Sequence, residues 1–162
     1  MGPEALINQW RRGLRIGQGA HYEAAKYYYR MHLVLSLPAV VIAAMLSTAV
    51  FAALQDSTVA WVKTTMAVLS VLTVVLSSLQ AALRLSERSE RHKTAAVKLG
   101  EVRRELEQQL VFEHRDEATI ERLRKKWDAT DSQAPTVPSW INNRVAAQVR
   151  VSEGMPATTG SN

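Results

Sequence analysis

The chain contains no cysteine. That excludes disulfides, thiolate metal sites and a cysteine nucleophile, and it leaves the compartment open. The histidines His21, His32, His92 and His114 have no ligand spacing and no glutamate–histidine motif beside them. No glycine-rich phosphate loop is present. No catalytic constellation emerges, so the expectation is a protein that is not an enzyme and carries no cofactor or metal.

The most informative shortage is local. Between Leu33 and Leu83 the only charged residues are Asp56 and Lys63. Over all 162 residues the charged fraction is 22%, an average that resembles a soluble protein and hides this gap. The run Leu33 to Leu54 is uncharged, and a span needs about 20 apolar residues to cross the hydrocarbon. Pro38 lies near the start of this run, where a missing backbone donor costs least. A second uncharged run extends from Thr64 to Leu83. The connection "LQDSTVAW" is short, with Asp56 and Ser57 as N-cap candidates for the second helix. Spans at about 33–54 and 62–83 therefore form an antiparallel transmembrane hairpin within residues 31–84. A signal peptide is the competing reading of the first run. That run starts after more than thirty residues and exceeds a usual h-region, and cutting at "AVFAA" would separate the spans.

What is plentiful is positive charge. The net charge is +5 and the pI is near 9.8. Arg11, Arg12, Arg15, Lys26 and Arg30 precede the first span, and Arg84, Arg88, Arg91 and Lys93 follow the second. The loop between them offers only Lys63. The distribution of basic residues places both termini in the cytoplasm. Tyr27, Tyr28 and Tyr29 suit the inner interface, and Trp61 the outer one.

Outside the spans the pattern remains helical. "PEALINQWRRGLRI" brings Leu6, Trp10 and Leu14 to one face, "GQG" at 17–19 predicts a break, and "AHYEAAKYYYRMH" leads into the first span. Residues 1–30 thus predict amphipathic N-terminal helices that are cytoplasmic or interfacial. In residues 85–150, Leu99, Val102, Leu106 and Leu110 make an apolar stripe, and "EATIERLRKKW" folds back with Ile120, Leu123 and Trp127 toward it. "SQAPTVPSW" is a linker, Ser139 is a candidate cap for a last helix, and 151–162 predicts a disordered tail. The fold class is all-α: a two-helix transmembrane hairpin with a cytoplasmic helical region, in an oligomer.

One row inside the second span breaks its oiliness. Ser70, Thr73, Ser77, Gln80 and Arg84 recur at steps of three and four, which places them on one helix face. An isolated Ser or Thr can bond back to its own helix, and the row could simply pack on the first span. Polar groups in spans usually face a bundle interior or a water-filled cavity. Two spans cannot enclose water, but several copies can. On that reading the five residues line a pore, with Arg84 at its cytoplasmic mouth. Rows of small residues, Ala39, Ala43 and Ser47 with Ala44, Thr48 and Ala52, suit close helix packing. Arg88, Arg91, Lys93, Lys98, Arg103 and Arg104 are candidates to bind an anionic regulator, and each could equally be solvated or paired with a neighbouring Glu.

"GAHYEAAKYYYRMHLVLSLPAVVIAAMLSTAVFA", "RLSERSERHKTAAVKLGEVRRELEQQL" and "RLRKKWDATDSQAPTVP" together resemble the SLATT family of two-transmembrane effectors, over about residues 15 to 145. The likeness rests on hydropathy layout and carries no catalytic signature. It implies a pore-forming effector of abortive-infection-type antiphage defence in the bacterial inner membrane. Its signal would be a nucleotide or oligonucleotide, supplied by a partner nucleotidyltransferase or another sensor. The expected partners are the lipid bilayer, that regulator and further copies of the chain, with a tetramer as first guess. A non-conducting scaffold that recruits a cytoplasmic partner is the alternative, and a small transporter subunit a third. The chain lacks the broken-helix pairs that mark many transporters.

Overall fold

The structure is a computed structural model that describes residues 3–53, 60–111 and 117–154. Its elements are α1 (Pro3–Ala53), α2 (Ala60–Leu83), α3 (Leu85–Val111), α4 (Glu117–Gln133) and α5 (Ser139–Ser152). No strand occurs among the described residues. The cap candidates Asp56 and Ser57, His114 and the tail from 155 lie outside them. The chain divides into two compact units, Tyr28–Glu87 and the pair Met1–Tyr27 with Arg88–Asn162.

The second of these has a true core. Ile7 and Leu14 of α1, Leu99, Val102 and Leu106 of α3, and Leu123 of α4 are buried together. Trp10, Leu110, Ile120 and Trp127 close around them. Leu14, Leu99 and Leu106 are 1% exposed, and each such burial contributes about 1.5–3 kcal/mol. Further along, Ala20, Ala24, Ala95 and Ala96 are buried, as are Ile141, Val145 and Val149 of α5. The small side chains let the helices approach closely. Ile7, Leu14, Ala20 and Ala24 of α1 are thus covered by protein, whereas Leu6 stays 42% exposed.

The "GQG" segment does not break α1, which runs unbroken from Pro3 to Ala53. Its glycines are there for proximity. A Cβ on Gly19 would stand 2.9 Å from Val145 Cγ1, and one on Gly13 3.1 Å from the Trp127 ring. Packing on three other helices outweighs the helix penalty of about 1 kcal/mol per glycine. Pro38 consequently lies inside a helix, not near its start. At α5 the cap position is Pro138, with no side-chain cap bond, and Ser139 is the first helical residue.

The unit Tyr28–Glu87 is a helical hairpin with little interior. α2 has no fully buried residue. Val34, Val40, Met45, Trp61, Val71 and Val74 are each at least 60% exposed. α1 and α2 each carry a window long and apolar enough to cross a membrane.

Candidate functional site

In α2 the half-buried positions are Val62, Met66, Leu69, Thr73, Leu76, Gln80 and Leu83. The steps alternate four and three, the repeat of a helix–helix seam. On α1 the more covered positions include Leu35, Ala39, Ile42 and Leu46, again at steps of four and three. Gln80 Nε2 donates to the Leu35 carbonyl at 2.7 Å. This contact joins the end of α2 to the beginning of the first apolar run, so the helices are antiparallel. Pro38 removes the donor that would serve the Val34 carbonyl and opens this turn of α1. The adjoining Leu35 carbonyl receives the amide of Gln80 there.

The five-residue polar row therefore divides. Thr73 and Gln80 lie on the seam inside one chain, half-buried, and the Thr73 hydroxyl donates to the Leu69 carbonyl at 2.9 Å. Ser70, Ser77 and Arg84 lie beside the seam and are exposed. The Ser70 hydroxyl donates to the Met66 carbonyl at 2.8 Å. Arg84 sits between α2 and α3 with φ of +46°, in the left-handed region that non-glycine residues rarely adopt. Its guanidinium pairs with Glu87 at 3.7 Å. Of the small residues in the first span, Ala39 is buried, whereas Ala43, Ala44, Ser47 and Thr48 are exposed.

Among the described residues the basic candidates spread along α3. Arg88, Arg91, Lys93, Lys98 and Arg104 are exposed at successive positions along α3. Lys93 lies 3.8 Å from Glu90. Arg103 lines a concavity of about 340 Å³ with Arg11, Arg15, Glu107 and Glu153. The arginines of α1 enter here because they follow the buried Ile7–Trp10–Leu14 face by one position. That offset was present in the sequence, but its partner surface was not.

A histidine pair is the other polar feature that periodicity does not reveal. His21 and His92 are 5% and 2% exposed, and their Nδ1 atoms lie 3.0 Å apart. One Nδ1 must carry a hydrogen and the other must accept it, so the rings hold different neutral tautomers. Burial lowers the pKa of His21, with Asp131 pulling the other way. His92 is pushed down to about 4, first by burial and then by His21. Beside them Ser89 Oγ donates to the Ala25 carbonyl at 2.9 Å. Among the described residues no group of three or more His, Asp or Glu could hold a metal.

A family model described as SMODS and SLOG-associating 2TM effector domain family 4 matches residues 16–137. The chain belongs to this family. The SLATT match begins inside α1 and takes in both apolar runs, all of α3 and α4 and the segment that follows to residue 137. Membership makes the protein a membrane effector of antiphage systems, and the two apolar helices place it in the inner membrane. No curated protein and no solved structure matches the SLATT chain.

Proposed function

We propose that the protein is a pore-forming effector that permeabilises the inner membrane during infection and is gated by a nucleotide or oligonucleotide signal. A partner nucleotidyltransferase or another sensor supplies that signal. The observation that carries this reading is the exposure of Ser70, Ser77 and Arg84 on a helix whose seam is already occupied. The apolar surface of the hairpin needs lipid or other copies of the chain to cover it. Lipid suits Val71, Val74 and Val75 but not a row that ends in a guanidinium. Several copies, four in the simplest arrangement, turn that row toward a common axis and give it water. Thr73 and Gln80 then border the channel from the seam side.

On this reading both termini are cytoplasmic, and Arg88, Arg91, Lys93, Lys98, Arg103 and Arg104 repeat around the axis. Repetition concentrates positive potential where an anionic signal would arrive. Whether the signal opens or closes the pore depends on which state binds it more tightly.

The test is ion flux from liposomes of neutral lipid into which the purified protein has been reconstituted. Wild-type protein should conduct in at least one ligand state, and Ser77→Leu should cut the flux at least fivefold without changing the oligomer. Zero flux in every ligand state would favour a passive scaffold and end the pore reading. Unchanged flux in Ser77→Leu would remove this face as the lining.

A further inference from the structure

Three arginines from two helices share one concavity. Arg11 and Arg15 of α1 and Arg103 of α3 line it, and Arg12 stands at its edge. Two carboxylates answer them. Glu107 lies 3.4 Å from Arg103 Nε, four residues along the same helix. Glu153 comes from the far end of the chain. Its carboxylate accepts from Arg12 Nε at 2.7 Å and lies 3.8 Å from Arg15. Four guanidiniums thus face two carboxylates, and the local balance is two positive charges in surplus. Arg11 has no ion-pair partner among the described residues. Arg103 Nε is buried without a hydrogen bond.

Glu153 is badly placed for anything except this contact. It follows the last residue of α5 and forms its C-cap. A negative charge at a helix C-terminus opposes the macrodipole. The next residue, Gly154, has φ of +71°, where the backbone turns away. The arginines are what make the position tolerable. An anion that satisfied them better would leave Glu153 without compensation and free the last turn of α5.

We propose that the concavity of Arg11, Arg15 and Arg103 binds a phosphate-bearing anion, and that Glu153 is its intramolecular stand-in. A phosphate group brings more charge and more acceptor oxygens than a carboxylate, and guanidiniums bind it in bidentate fashion. Its arrival displaces Glu153 and releases the end of α5. The site deepens the reading of a ligand-gated effector and rests on it for its purpose. It differs from the exposed row along α3, sharing only Arg103 with it. Arg11, Arg12, Arg15 and Glu153 all lie outside the stretch matched to the family.

The shared chemistry is a phosphate ester or anhydride, which could belong to a soluble molecule or to a lipid headgroup. The full chain is placed in phosphatidylcholine nanodiscs and titrated with inorganic pyrophosphate by calorimetry at low salt. A parallel arm uses vesicles containing phosphatidylglycerol and no soluble anion. Glu153→Gln should tighten binding about fivefold or more in the arm that supplies the true source, because the competitor has been removed. Arg11→Gln should weaken it at least threefold in that arm, and this exposed side chain can be changed without breaking an ion pair among the described residues. Hydrogen exchange at residues 149–153 should rise when the anion binds. Affinity that Glu153→Gln leaves unchanged or weakens in both arms would overturn the proposal. The readout is binding, not conduction, so a protein that never conducts can still pass.

Discussion

The hydrogen bond between the two Nδ1 atoms works only while the accepting imidazole is neutral. Protonating the accepting ring sets two N–H groups against each other inside the core. His92, with a pKa near 4 when folded against an ordinary 6.5, binds its proton less readily in the native state than in the unfolded chain. Its contribution to stability is complete above about pH 6.5 and is lost progressively as the pH falls toward 4. The melting temperature of the detergent-solubilised protein should therefore fall between pH 7.5 and 5.5. His92→Gln should be less stable at pH 7.5 and show a shallower fall; an equal slope in the two proteins would refute the assignment. Glycines make a second contrast at this scale. Gly19→Ala drives a methyl into the stiff Val145 side chain, and overpacking of this kind costs about 1–3 kcal/mol. At Gly100 the obstacle is the amide end of Gln18, which can rotate away. Thermal melts should rank Gly19→Ala well below wild type and Gly100→Ala close to it.

Among the elements, α2 makes the sharpest comparison. Gln80 holds the seam to the Leu35 carbonyl, whereas Ser77 faces outward from the same helix. Interhelical hydrogen bonds in membranes contribute about 0.6 kcal/mol on average. Gln80→Leu should thus leave the hairpin folded and reduce flux less than Ser77→Leu does; a larger loss in Gln80→Leu would reverse the assignment of the two faces. The three-four spacing of the polar row was legible in the sequence, because helical periodicity fixes which residues share a side. The seam that takes Thr73 and Gln80 was not. A seam repeat and a pore row on one helix differ by a rotation of a residue or so, and only a facing helix distinguishes them. α1 is the opposite case. Its glycines resemble a break in isolation, yet α3, α4 and α5 supply contacts that no local propensity registers. Ser139 likewise has cap chemistry, but Pro138 with its fixed φ takes the cap position.

For the whole molecule, the two apolar runs and the stripe Leu99–Val102–Leu106 carried the all-helical class and the position of the core, since both are strong period signals. Pairing across long separations stayed hidden. Nothing local connects Arg12 with Glu153 or His21 with His92, and these contacts depend on how α1, α3, α4 and α5 assemble. The assembly of several chains lies one step further, and it is where the proposed activity is decided. The absence of native cysteine makes that step measurable. Single substitutions Ser70→Cys, Ser77→Cys, Val74→Cys and Val75→Cys can be introduced one at a time, and the reconstituted protein treated with a charged, membrane-impermeant thiol reagent. The account predicts labelling at 70 and 77 that blocks ion flux, and none at 74 and 75. Protection of all four positions, or labelling that leaves flux unchanged, would contradict a water-filled path along this face.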